Sequence, residues 1–212
     1  MELSRVPTYL RRYTDLPALL HLLRVKELTL LDPKTWDDKN DSHFMSIYKE
    51  KKKLKTVLAL CFSQSPETYH HWRVFSNGPS GVCIVFDRAS LLEDLKADQG
   101  ILTGHMKYLS LPKARERTFH VDELPFLKRY GYKPETEFRV MYTSTSKDLG
   151  ALPVSIQIES IRSVSLSPWM HPTLSDSTVK TIREIQGCAK LKVSRSTLIS
   201  NDQWKRYGAG AA

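Results

Sequence analysis

The segment Glu135-Thr136-Glu137-Phe138-Arg139-Val140-Met141-Tyr142 sets two carboxylates and a guanidinium at alternate positions. Read as a strand over 135–143, its side chains leave on opposite faces in turn. Glu135, Glu137 and Arg139 then share one face, and Thr136, Phe138, Val140 and Tyr142 the other. Two carboxylates held together can hydrogen-bond ribose hydroxyls. They can also offset positive charge in an oxocarbenium-like transition state, as paired carboxylates do in glycoside hydrolysis. Arg139 beside Glu137 favours its ionised form. The same spacing equally suits a salt-bridge lattice along an exposed strand, and the residues alone leave both readings open.

Three further segments carry polar groups that a fold could bring to such a face. Cys61-Phe62-Ser63-Gln64-Ser65 closes the apolar run 57–63, so a buried strand would deliver the Ser63 hydroxyl to a sheet edge. Ser65 is expected to cap the helix that follows, with Pro66 at its first position. In Arg11-Arg12-Tyr13, Arg12 on a first strand could clamp a phosphate or carboxylate bidentately, with Tyr13 beside it. Tyr69, Trp72 and Phe75 recur on one short helix. They either pack into the core or offer a ring to a base or nicotinamide. His70 and His71 are adjacent and cannot share a helix face as a metal pair would. Cys61, Cys83 and Cys188 are scattered, so no metal site is expected. No GxGxxG, GxxxxGK[ST] or Ser/His/Asp signature occurs.

These segments must be positioned by a mixture of helices and strands without a regular βαβ period. The apolar runs 57–63 and 81–87 read as strands buried on both faces and as neighbours at the centre of a sheet. Leu16, Leu19, Leu20 and Leu23 mark a helix capped by Thr14 or Asp15. Short strands are expected at 27–31, 105–109, 154–158, 160–166 and 191–194. A helix over 175–186 is expected to be capped by Ser175 and ended by Gly187, and a frayed tail to cover 208–212. The fold class implied is α+β: a single domain over 1–212 with a central mixed, mostly antiparallel sheet flanked by helices.

Composition narrows the partners. The chain of 212 residues carries a net charge of +9, which favours acidic partners such as nucleotides, nucleic acid or another protein's acidic face. Lys49, Lys51, Lys52, Lys53 and Lys55 form the one tight basic run, either a solvated helix face or a phosphate-contacting patch. No stretch is apolar over the roughly 20 residues of a membrane span, and the start has no signal-peptide pattern. Three unpaired-looking cysteines fit a reducing compartment, and a cytoplasmic location is expected.

The stretches LALCFSQSPETYHHWRVFSNGPSGVCIVFD, FLKRYGYKPETEFRV and IESIRSVSLSPWMHP, the last followed by VSRSTL, resemble the bacterial and phage proteins of domain-of-unknown-function family 2971. The opening RRYTDLPALLHLL and the Asp-rich WDDKND resemble that family's start, so the likeness spans about 8–200. A looser resemblance is to ADP-ribosyltransferases, which order an Arg or His on an early strand, a Ser element in the middle and a Glu late, often within Glu-x-Glu. Arg12, Ser63 and Glu137 follow that order here, although the middle element is Ser-Gln-Ser rather than Ser-Thr-Ser. This resemblance implies NAD as substrate and a role for each residue: Arg12 on the NAD phosphates or supporting the pocket, Ser63 beneath the nicotinamide ribose, Glu137 on the ribose 2′-hydroxyl and against the cation that forms, and Glu135 orienting an acceptor. Tyr13, Tyr69, Trp72 and Arg139 complete the expected NAD site. An NAD-consuming transferase or glycohydrolase, a toxin or phage-defence effector among them, stands beside two alternatives: a nucleic-acid-binding or processing protein, and a non-enzymatic interaction domain.

Overall fold

A computed structural model describes residues 8–76 and 78–209. The elements run β1 (Tyr9–Asp15), α1 (Leu16–Val25), β2 (Glu27–Leu31), α2 (Lys39–Lys51), β3 (Thr56–Ser63), α3 (Tyr69–Phe75), β4 (Gly81–Asp87), α4 (Arg88–Leu95), β5 (Ile101–His105), β6 (Lys107–Leu109), α5 (Leu111–Arg115), β7 (Leu127–Arg129), β8 (Glu137–Ser144), β9 (Ala151–Ser155), β10 (Ile161–Leu166), α6 (Pro172–Glu184), β11 (Val193–Arg195) and α7 (Asp202–Ala209). The fold is α+β, with a central, mostly antiparallel sheet and helices around it.

The main sheet has nine strands along the path β11-β10-β4-β1-β3-β2-β9, with β8 against β3 and β5 against β8. Among the described residues, only the β10–β11 pair is parallel within it. The two apolar strands β3 and β4 are therefore not neighbours: β1 lies between them, pairing with β4 along its whole length from Tyr9↔Asp87 to Asp15↔Gly81. The N-terminal segment carries too few apolar residues to announce a central strand, yet alternation buries Leu10 on one face and Tyr13 on the other. On the other side, β1 meets β3 at the single pair Arg11↔Ser63. β2 meets β3 at Leu31↔Ala59, near the middle of the strand. The opposite edge of β3 is paired throughout with β8, from Thr56↔Ser144 to Ser63↔Glu137.

Each face of this sheet has its own cover. Leu10, Leu58, Leu60, Phe62, Val82, Ile84, Phe86, Phe138 and Val140 face the main core, which α1 and α4 close with Leu19, Leu23, Leu91 and Leu95. Val57, Ala59 and Met141 face a second cluster built with Met45 and Tyr48 of α2 and with Leu124 and Leu127. Leu124 and Leu127 belong to a long excursion between the paired neighbours β5 and β8. The excursion contains the parallel ribbon β6–β7 and crosses the second face. Its Phe126 ring lies over Gly104, where an added Cβ would come within 2.8 Å of it.

Local capping signals hold at some helix ends and are displaced at others. Asp15 caps α1 by accepting from the Ala18 N–H. Thr68, not Ser65, caps α3, because Pro66 and Glu67 lie outside the helix, which starts at Tyr69. His171, not Ser175, precedes α6, since Pro172 occupies the first turn. Gly208 and Ala209, expected to fray, complete α7, and 210–212 lie outside the described residues. β8 begins at Glu137 rather than at 135: Glu135 ends a 3-10 turn over Tyr130–Glu135, and Thr136 is left-handed with φ 42°.

Candidate functional site

The second face of the sheet carries the polar chemistry. Cross-strand pairing sets Arg11 beside Ser63 and Ser63 beside Glu137, so three adjacent strands present Arg, Ser and Glu in one row. Directly paired side chains sit about 5 Å apart at Cβ, so the row spans roughly 10 Å. Arg12, the residue expected to join Ser63 and Glu137, does not. It pairs with Ile84 of the main core, and alternation along β1 sends it to the opposite face, so Arg11 takes the place expected of it.

Behind the row lies a buried ion-pair network. Arg139 is 0% exposed, Asp41 3% and Glu137 4%. The Arg139 guanidinium donates to both Asp41 carboxylate oxygens, at 2.9 and 2.6 Å. It also donates to Glu137 Oε1 at 2.8 Å and to the Pro125 carbonyl at 2.8 Å. Its plane lies 4.7 Å from the Trp36 ring centroid. Lys128 of β7 donates to Glu135 Oε2 at 2.7 Å and Glu137 Oε2 at 3.1 Å. The Glu137 N–H donates to Tyr108 Oη at 2.8 Å. Glu135 thus reaches the same cluster as Glu137 and Arg139 even though the left-handed Thr136 interrupts the strand between them.

Three carboxylates face two cations here, and burial makes the imbalance costly. For Glu137, burial pushes the carboxyl upward, but Arg139 and Lys128 outweigh it and hold it below its ordinary value. Glu135 goes the other way: burial raises it, and Lys128 offsets this only in part. Burial likewise raises Asp41 against the pull of Arg139. The site therefore pairs one firmly ionised carboxylate with one that takes up a proton more readily, the division of labour that acid–base chemistry uses. Burial pushes the Tyr108 phenol up to about 12, so it is a neutral hydrogen-bonding group.

The other end of the row is ordered by α3. Ser63 Oγ donates to the Glu135 carbonyl at 2.8 Å and lies 2.9 Å from Ser65 Oγ and 3.4 Å from His71 Nε2. His71 is bonded through Nδ1 to the Thr68 hydroxyl and stacks on Tyr13 at 5.4 Å between centroids. Arg11 Nη1 donates to the Ser65 carbonyl at 2.9 Å. Burial, then His70, lowers the His71 pKa, with Arg11 adding to the effect and a hydrogen bond to the Glu135 backbone opposing it. Because the folded value lies below the ordinary 6.5, His71 contributes stability that is present above pH 6.5 and lost as pH falls through its folded value. The melting temperature is expected to drop more steeply on acidification in wild type than in His71→Gln. Parallel curves for the two proteins would show that His71 is not held neutral.

Other expected site residues are placed elsewhere. Trp72 is 0% exposed, packed edge-on against Tyr13 at 5.3 Å, and has no ring face to offer a ligand. Tyr69 is 53% exposed, and its ring contacts Arg73 and the edge of Trp169 and no residue of the row. The lysine run ends α2 and precedes Thr56, at the far end of β3 from Ser63, and Lys52 is paired with Asp122. The sequence assigns Asp41, Trp36, Lys128 and Tyr108 no site role, and it brings up His71 only as half of an excluded metal pair. The first two lie in the Asp-rich 36–41 segment, which was noticed as a pattern without a role. Nothing local ties Lys128 or Tyr108 to Glu137.

No family model matches the chain, and no curated protein matches it. Solved structures of Thermus sp. 2.9 DarT are similar to it in fold. The complex with NAD+ superposes with a TM-score of 0.46 at 12% identity, covering 90% of this chain and 96% of that one. The complex with carba-NAD+ gives 0.45 at 11%, covering 90% and 96%, and the complex with ADP-ribosylated ssDNA gives 0.45 at 13%, covering 90% and 94%. The described residues include no helix long and apolar enough to cross a membrane.

Proposed function

We propose that this protein binds NAD across the row Arg11, Ser63 and Glu137 and cleaves its nicotinamide glycosidic bond. The single observation that supports the reading is the cross-strand succession Arg11↔Ser63↔Glu137, an Arg-Ser-Glu order realised in space on one face of three neighbouring strands. Arg11 uses one nitrogen on the Ser65 carbonyl, and its remaining nitrogens make no described hydrogen bond and are suited to the pyrophosphate. Ser63 supports the nicotinamide ribose. Glu137 accepts from the ribose 2′-hydroxyl and offsets the charge that develops as the C1′–N bond breaks. The bonding pair leaves with nicotinamide, neutralising its ring, and the ribosyl carbon takes the positive charge. Water or an acceptor hydroxyl then adds to that carbon and loses its proton. Glu135, with its raised pKa, is the group fitted to receive it.

Arg11 and Arg12 separate this reading from the one drawn on sequence alone. Arg11→Ala is expected to weaken NAD binding by about ten-fold or more, the loss of a charge-assisted hydrogen bond. Arg12→Ala is expected to leave NAD affinity unchanged. Isothermal titration of both variants with NAD decides it, and equal affinities for Arg11→Ala and wild type would remove Arg11 from the site.

A second reading has its own support. Both Glu137 oxygens are ion-paired and the residue is 4% exposed, which suits a structural lattice in a non-enzymatic interaction domain. Nicotinamide release by the purified protein separates the two.

A further inference from the structure

The row is closed by a short segment whose attachment differs from that of everything around it. Leu127 is 2% exposed and Phe138 1%, so the chain is anchored in apolar packing just before and just after residues 128–136. Within that interval the outward residues Arg129, Tyr130, Gly131, Lys133, Pro134 and Thr136 are exposed. Neither of its aromatics is in the core: Tyr130 is exposed, and Tyr132 is half-buried under the Lys128 ammonium at 4.8 Å. What holds the segment down is polar. Lys128 and Arg129 pair with Tyr108 and Leu109 of β6, and the Lys128 ammonium reaches Glu135 within the segment and Glu137 beyond it. The Glu135 carbonyl accepts from Ser63 Oγ, and the Thr136 carbonyl accepts from the Gln64 N–H at 3.0 Å and from Gln64 Nε2 at 3.2 Å. Thr136 itself is left-handed with φ 42°, a conformation that costs a non-glycine residue energy.

We infer that residues 128–136 form a strap that lifts as a unit to open the Arg11–Ser63–Glu137 row, and that the Lys128 ammonium is the internal counter-ion that latches it shut. Lifting the strap breaks the Lys128 ion pairs with Glu137 and Asp41, the short β6–β7 pairing of Lys128 and Arg129, and a few further hydrogen bonds, all to groups that water or a ligand can replace. No strap residue belongs to an apolar core cluster, so the strap is part of the fold able to open locally while β3 and β8 stay intact. The latch matters to the proposed activity because Glu137 Oε2 and Ser63 Oγ, the two groups assigned to the ribose, are the ones Lys128 and the Glu135 carbonyl occupy. A ligand at the row must displace them, and its apparent affinity is reduced by the fraction of molecules in which the strap is open. The opening itself stands on the packing alone; its role as a gate rests on the NAD reading.

Hydrogen exchange of the full chain with and without Lys128→Gln tests it. Without Lys128, Glu135 is left without its cation under the strap, and hydrating it pulls the strap outward. Amides of 128–136 are expected to exchange about ten-fold faster or more in the variant, with β3 and β8 unchanged. NAD binding is expected to tighten by about ten-fold as the open fraction rises. Unchanged strap exchange, exchange that speeds equally in β3 and β8, or NAD binding that weakens in the variant would each overturn the latch. If neither protein binds NAD, the row is not an NAD site, and strap exchange alone decides whether the segment opens. If Lys128→Gln does not fold, wild type in low urea gives the answer. Strap amides should exchange through an opening nearly independent of urea, and exchange only through global unfolding overturns the proposal.

Discussion

Arg139→Met is expected to lower the unfolding free energy by about 3–5 kcal/mol, the cost of removing one partner from a buried charge network. Arg139 is fully buried and supplies the cation for both Asp41 and Glu137. Met nearly fills its volume, so little of the loss comes from a cavity. The loss comes from two buried carboxylates: Asp41 keeps only the Lys128 ammonium at 3.9 Å, and Glu137 keeps Lys128 alone. A buried charge without a partner is relieved by taking up a proton, so the deficit should shrink as pH falls and both carboxyls become neutral. Urea denaturation at neutral and acidic pH measures it. The triple variant Asp41→Leu, Glu137→Leu, Arg139→Met should recover much of the loss, because the network's own desolvation cost disappears with it. A loss below about 1 kcal/mol in Arg139→Met, the range of an exposed surface pair, would mean that the network is hydrated and not the rigid support of Glu137.

Glu137→Gln is expected to cut nicotinamide release from NAD by roughly 10²-fold or more. The amide keeps the shape and one acceptor oxygen but loses the charge that offsets the developing cation. The substitution also bears on the fold. It removes a carboxylate from two cations, and about 1–3 kcal/mol of stability should go with it. Arg139 remains neutralised by Asp41 and Lys128 by Glu135, which is why the protein should still fold. Glu135→Gln is expected to slow transfer to an acceptor more than hydrolysis, since it removes the proton-accepting group and not the charge beside the ribose. The measurement is nicotinamide release by wild type and both variants at matched folded fractions. Wild type that neither binds nor cleaves NAD ends the transferase reading. A Glu137→Gln protein that cannot fold assigns the network to structure.

The sequence by itself determined the fold class, most of the strands and helices, and the segments that carry the polar groups. Apolar runs such as Thr56–Ser63 and Gly81–Asp87 are legible because burial on both faces leaves almost no polar residue in them. Glu137 and Arg139 are legible as one-face residues because strand alternation is a local property. What only the tertiary structure decided was which strands are neighbours and which face of β1 joins the site. A single pair, Arg11↔Ser63, sets that register, and a shift by one residue exchanges the roles of Arg11 and Arg12. The burial of the carboxylates was hidden for the same reason. Asp41 lies 98 positions from Arg139, so no local pattern reveals their pair. Lys128 and Tyr108 reach Glu137 only because a long excursion between β5 and β8 folds back over their face. Periodicity records which side of an element is apolar. It carries no information about which distant charge will neutralise a buried one, and that pairing decides whether Glu135 and Glu137 lie open on a surface or latched beneath a strap.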